Sequence, residues 1–198
     1  MIQHDDLRLI KDSRPNRSQP RGYVPNARGL DLNGRCSQGE IVLILFNGNL
    51  FESNAQTLVN AVNCVGVMGK GIALEFKRRF PEMFADYEVR CSERRVKLGQ
   101  PYLHRYSRPP WILNFPTKDH WRSASRLKDI VHGLEYLAQK YKEWRIESLA
   151  VPALGCGLGQ LDWAAVKPVL CRHLELLDIP VELYVPIVDA GLCDPPEE

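Results

Sequence analysis

The apolar positions of the chain show no sustained pattern before Ile41; from there, short strand-like runs alternate with helical stripes. Ile41–Phe46 is a continuous apolar run rich in β-formers, as in a strand covered on both faces, and Thr57–Val62 is a second. The segment Gly66-Val67-Met68-Gly69-Lys70-Gly71 breaks the pattern. Ile72, Ala73, Phe76 and Phe80 then fall at helical spacing and predict a helix over Ile72–Phe80. Pro81 suits the first turn of a further helix, predicted to reach about Arg95. Lys97–Gly99 reads as a turn, with Tyr102–Tyr106 and Trp111–Phe115 as strands on either side of Pro109-Pro110. The clearest helix is Ser123–Trp144, where Leu127, Ile130, Val131, Leu134, Leu137 and Tyr141 make one stripe and Ser123 or Ser125 is the expected N-cap. Ser148–Pro152 is a short strand that runs directly into Ala153-Leu154-Gly155-Cys156-Gly157-Leu158-Gly159. A helix over Trp163–Leu177, starting late or kinked at Pro168, and a last strand at Val181–Val185 complete the pattern.

Strands alternating with helices predict an α/β domain over residues 41–186, with a mixed central sheet covered on both faces. Residues 1–40 carry Arg8, Lys11, Arg14, Arg17, Arg21, Arg28 and Arg35 among prolines and glycines, with no sustained period. They read as an irregular basic extension whose cations suit either a nucleic-acid backbone or plain solvation. Residues 187–198 read as a disordered tail.

Composition narrows the class. The hydrophobic fraction of 44% and charged fraction of 25% are those of a globular protein, and a net charge of +2 gives no whole-chain field of the kind nucleic-acid binders show. Cys36, Cys64, Cys91, Cys156, Cys171 and Cys193 include no C-x-x-C pair and no histidine at zinc-like spacing, so reduced thiols and no metal are expected. There is no signal-peptide pattern and no apolar stretch of membrane-spanning length, so a cytoplasmic monomer is expected.

The chemistry lies in two glycine-rich segments, each where a strand ends and a helix begins. That is where open α/β sheets bind ligands. Glycine lets the backbone approach an anion closely, and the amides at a helix start favour phosphate. Neither segment is a Walker A loop, since Lys70 is followed by Gly71, nor a Rossmann loop, since Gln160 stands where a third glycine belongs. A nucleotide diphosphate pocket is the expectation. Asn60 and Asn63, at the end of the second strand, can bridge ribose hydroxyls or serve as turn residues.

Taken together, Phe46-Asn47-Gly48-Asn49-Leu50-Phe51, Val59–Asn63, Val65–Ile72 and Val151–Gly159 resemble, in order, the motifs of the macro domain. The resemblance covers about residues 41–186 and implies a three-layer α/β/α fold that binds ADP-ribose without a cofactor. It implies ligand contacts at Asn49, Leu50, Asn63, Gly66, Met68, Gly69, Lys70, Gly71 and Ile72. In the second loop it adds Leu154, Gly155, Cys156, Gly157, Leu158 and Gly159. The stretch Asn114-Phe115-Pro116-Thr117-Lys118-Asp119-His120-Trp121-Arg122 is similar to the segment that carries the catalytic lysine in the branch containing the DNA ADP-ribosyl glycohydrolase antitoxins (DarG type) and glutamate-specific relatives. On that resemblance Lys118 is catalytic, and His120 and Trp121 are candidate contacts to nucleic acid.

Some positions depart from the family. Asn49 stands where an Asp partner of adenine is common, and Gly159 where the glutamate-specific relatives carry a catalytic Asp. The antitoxins also have a large C-terminal toxin-binding region, whereas this chain stops soon after its last predicted strand. The implied activity is removal of ADP-ribose from thymidine in single-stranded DNA, with a cognate ADP-ribosyltransferase toxin as a further partner. Hydrolysis of other ADP-ribose esters and a non-catalytic ADP-ribose reader are the alternatives. Lys118 can act as a nucleophile if its pKa is lowered, or as an ammonium facing the leaving group. Lys70 faces either the phosphates or solvent, and Asp119, Asp162 and Glu75 are candidate water activators.

Overall fold

The apolar runs form the interior strands of a twisted sheet. The computed structural model describes residues 43–186 and the backbone of Tyr23–Val24. Its strands are β1 (Tyr23–Val24), β2 (Leu43–Phe46), β3 (Thr57–Asn63), β4 (Tyr102–His104), β5 (Trp111–Lys118), β6 (Leu149–Pro152) and β7 (Val181–Tyr184). They lie in the order β1-β2-β7-β6-β3-β5-β4. The five inner strands are parallel, and β1 and β4 close the two edges antiparallel. The sheet is therefore mixed, as the sequence predicts. One correction concerns the extension: the sequence reading gives residues 1–40 no regular structure, yet Tyr23–Val24 pair with Phe46 and Leu45. The remaining expectations for 1–42 and 187–198 lie outside the described residues.

Among the described residues four α-helices cover the sheet: α1 (Gly71–Arg79), α2 (Pro81–Ser92), α3 (Leu127–Lys140) and α4 (Trp163–Leu174). Because strand side chains alternate, each inner strand feeds two cores. Val59, Leu113, Phe115, Leu149, Val151 and Leu183 pack with Ile130, Leu134 and Leu137 of α3 and Val166, Leu170 and Leu174 of α4. Leu58, Val62, Ile112 and Ala150 face the other way, onto Phe76 of α1 and Met83 and Tyr87 of α2. These are the three α/β/α layers. Pro81 opens α2 at its first turn.

Several boundaries need correction, among them β4 and α2, which end at His104 and Ser92. β5 continues past Phe115 to Lys118, because the ladder to β3 persists through Pro116. α3 begins at Leu127, with Arg126 at the N-cap and no side-chain cap bond, so neither Ser123 nor Ser125 caps it. Ser125 is instead buried, and its amide donates to Gly159 O at 2.9 Å. α4 starts at Trp163 and ends at Leu174, with Pro168 inside it.

α3 can lie close to β5 because residue 133 is glycine. A Cβ there would overlap the Phe115 ring. Replacing Gly133 with Val is expected to destabilise the fold by about 1–3 kcal/mol through overpacking. Urea unfolding should show a lower midpoint with unchanged slope. A wild-type midpoint would mean that α3 does not approach β5 this closely.

Candidate active site

Three neighbouring parallel strands, β6, β3 and β5, end at one edge of the sheet, and each delivers one part of the site. β3 leads into the first glycine loop (residues 64–70), β6 into the second (residues 153–162), and β5 ends on Lys118. β2, parallel to β7, brings Asn49 and Leu50 to the same edge.

The first loop is held from inside by Asn63. Its Oδ1 accepts from the Val65 and Val67 amides at 3.0 and 3.3 Å, its Nδ2 donates to Val67 O, and the Tyr87 hydroxyl donates to Oδ1 at 2.9 Å. Gly66 and Gly71 take positive φ, 82° and 59°. Lys70 is the N-cap of α1 and makes no side-chain cap bond, and the first turn of α1 has no acidic residue. The amides that open α1 are thus left for an anion. The Lys70 side chain is exposed and Met68 is buried, with its sulfur 3.8 Å from Asn60 Nδ2.

The second loop turns on Gly155 at φ 78°, and Leu161 N closes it onto Gly155 O at 3.0 Å. Gly159 is buried, and a Cβ there would overlap both Gly155 O and Ser125 Oγ. A carboxylate side chain at this position is sterically excluded. Leu158 reaches across to α1, its Cδ1 3.5 Å from where Gly71 would carry a Cβ, so the two loops meet.

Lys118 is aimed by an irregularity in the ladder. Val62 pairs with Pro116 but Asn63 with Lys118, so Thr117 is the extra residue of a bulge on β5. Bulges re-aim side chains at such edges. Lys118 Nζ donates to Leu158 O at 2.9 Å and to Trp121 O at 3.3 Å. Partial burial holds its pKa below the ordinary lysine range. The chain after it is tied to both loops: Cys64 N donates to Asp119 O at 3.1 Å, and Ser125 N to Gly159 O at 2.9 Å. His120 stacks on Trp121 at 5.3 Å between ring centroids, and the Arg122 guanidinium lies 4.5 Å from the Trp121 ring.

Several expected roles change. Asn60 is fully buried within β3 and donates to Asn114 Oδ1 at 3.0 Å, so it neither bridges ribose hydroxyls nor forms a turn. Asn63 spends its amide on the loop. Asn49 is exposed and accepts from the Phe51 amide at 3.1 Å as the cap of a short 3-10 turn, while its Nδ2 donates to Glu52 Oε1 at 3.4 Å. Glu75 pairs with Arg78 and Arg79, and Asp162 caps α4 through the Ala164 amide. Asp119 remains exposed next to Lys118, its carboxyl held below the usual range by Ser123 and the His120 amide. The residues that sequence reasoning missed are the braces, Tyr87 and Ser125. A lone tyrosine in a helical stripe and a serine before a helix carry no signal for such roles.

Residues 59–170 match the macro domain family. The chain belongs to that family. The macro domain here is 41% identical over 202 residues to a DNA ADP-ribosyl transferase–DNA ADP-ribosyl glycohydrolase fusion protein of Thermosipho africanus, covering 93% of this chain and 52% of the relative. It is 46% identical over 144 residues to a DNA ADP-ribosyl glycohydrolase of Mycobacterium tuberculosis, covering 71% of this chain and 41% of the relative. The chain thus spans about half or less of the length of these curated relatives. Among solved structures, the macrodomain of M. tuberculosis DarG superposes with a TM-score of 0.68 at 44% identity, over 73% of this chain and 99% of that one. T. africanus DarTG in complex with ADP-ribose gives 0.71 at 43% identity, over 74% of this chain and 42% of that one.

If Asn63 holds the first loop, Asn63→Ala should cost about 1–3 kcal/mol by orphaning its partners. Hydrogen exchange should show the Val65 and Val67 amides losing protection ahead of the β3 core. Unchanged protection at both would count against the brace.

Proposed function

We propose that this macro domain is an ADP-ribosyl glycohydrolase that removes ADP-ribose from thymidine in single-stranded DNA, with Lys118 as the catalytic residue. The observation that carries the reading is the placement of the Lys118 amine against the Leu158 carbonyl of the second loop, beside a position that cannot hold an acid. The named activity and the ADP-ribose complex of the relatives support the same reading.

The pyrophosphate would take the amides that open α1 and those of Gly157, Leu158 and Gly159, and to enter it must part Leu158 from Gly71. Asn49 and Leu50 would meet the adenosine end, and the backbones of Gly66, Met68, Gly69, Lys70, Leu154, Gly155 and Cys156 would line the rest. Such charge-assisted bonds contribute about 1.5–3 kcal/mol each.

A neutral lysine amine has two N–H bonds and one lone pair. With both hydrogens directed at Leu158 O and Trp121 O, the lone pair points in the remaining direction, and the lowered pKa raises the share of this neutral form. The nitrogen attacks the anomeric carbon, and the bond from that carbon to thymine breaks with its electron pair on the base. Water then hydrolyses the lysine–ribose adduct. The delocalised thymine anion needs less acid assistance than an amine leaving group, which suits a loop without a carboxylate at residue 159. A cognate DNA ADP-ribosyltransferase would supply the substrate.

Lys118→Ala should lower kcat on an ADP-ribosylated oligonucleotide by about 100-fold or more while ADP-ribose affinity by calorimetry changes only severalfold. Full activity in that variant would remove the lysine from the mechanism. Because the amine is the reactive form, kcat/KM should rise with pH and level off above a pKa lower than that of free lysine. A fall over the same interval would assign the ammonium role instead. Gly159→Asp should weaken ADP-ribose binding at least about tenfold by distorting the loop, without adding activity. Tight ADP-ribose binding with no turnover on DNA or ester substrates would reduce the domain to a reader.

A further inference from the structure

A second concavity, of about 430 Å³, lies between the first glycine loop and the end of α2, lined by Cys64, Val65, Gly66, Glu88, Cys91 and Arg94. Small-molecule sites of about 300–1,000 Å³ are typical, so the hollow is large enough for one nucleotide. Burial pushes the Cys64 thiol up to about 11 and raises that of Cys91, so both are neutral at physiological pH. The charges lining the hollow are then the Arg94 guanidinium and the Glu88 carboxylate, neither of which forms an ion pair among the described residues. Arg94 stands just past α2 with φ 56°, its amide closing onto Cys91 O at 3.0 Å.

The hollow adjoins the segment that follows Lys118 through one backbone hydrogen bond. Cys64, in its wall, donates its amide to Asp119 O, and the next residues stack, with His120 half-buried and Trp121 and Arg122 exposed. Six large apolar side chains are exposed among the described residues, and four of them, Val65, Val67, Trp121 and Leu158, lie on the two glycine loops and this segment. Exposed apolar surface beside unpaired cations fits a ligand with flat apolar faces on a charged backbone, as single-stranded nucleic acid has.

We propose that the Arg94 hollow and the Trp121 stack form a subsite for the single-stranded DNA that flanks the modified thymidine. This rests on the glycohydrolase reading for the identity of the substrate. Arg94 meets a backbone phosphate, Glu88 accepts from the amino group of a neighbouring base, and Trp121 stacks on another base. A duplex, whose bases are already stacked and paired, is excluded.

The test combines fluorescence anisotropy of a labelled, unmodified mixed-sequence oligonucleotide with turnover of two substrates, an ADP-ribosylated oligonucleotide and ADP-ribosylated thymidine. The expected result is single-strand binding that Trp121→Ala weakens about 5–100-fold and Trp121→Phe largely retains. Arg94→Ala should flatten the log–log salt dependence by about 0.7. It should also raise KM for the oligonucleotide at unchanged kcat and leave turnover of the mononucleoside as in wild type. The proposal is overturned if both alanine variants bind like wild type, if duplex binds as tightly as single strand, or if Arg94→Ala slows both substrates alike. Binding with these dependences but no release of ADP-ribose would uphold the subsite and overturn the glycohydrolase reading. Release with unaffected variants would do the reverse.

Discussion

Two backbone hydrogen bonds, Cys64 N to Asp119 O and Ser125 N to Gly159 O, hold the three parts of the candidate site in one arrangement. The segment after β5 lies between the glycine loops and is fastened to each. The strands beneath fix where the loops start, since β3 is hydrogen-bonded to β5 on one side and β6 on the other. Loops that leave neighbouring strands can still drift. Here the drift is limited at the level of the main chain, where no side-chain replacement other than proline removes the bond directly.

Steric exclusion at Gly159 has a chemical meaning beyond its conformational one. With Gly155 O and Ser125 Oγ filling the space that a Cβ needs, residue 159 can offer its amide but no acid, and Asp162 at the end of the loop is engaged in capping α4. Proton or electron-pair work at that position must come from elsewhere, and the Lys118 amine reaches the loop at Leu158 O. The bulge at Thr117 places it there: without the extra residue, Asn63 would pair with Thr117 and Lys118 would be displaced by one position along the ladder.

Much of the fold was legible because its signals are local. The periods of β3, α1, α2 and α4 and the proline at the start of α2 all act within a few residues. What was not legible depends on partners far along the chain. The strand predicted over Trp111–Phe115 in fact runs to Lys118, because the ladder to β3 carries through Pro116, where proline ordinarily weakens an interior strand. Asn60 looked like a ligand residue or a turn former because a lone amide fits both, and its true partner, Asn114, lies in another strand. Ser125 had the chemistry of an N-cap, and contact with the second loop took precedence. Lys118 was conspicuous only through its resemblance to a family motif; nothing in its local pattern separates it from a surface lysine.

The order of strands across the sheet also bears on when the site can exist. β3 and β5 are complete once residue 118 has been made, but β6, which pairs with β3 at Thr57 and Leu58, begins only at Leu149. Parallel pairing between such distant segments is slow to form, because a long loop must close before any contact stabilises it. On the ribosome, a nascent chain halted between these points has the lysine and the first loop but not the carbonyl that holds the lysine. The site can therefore be complete only after Leu158 has been made.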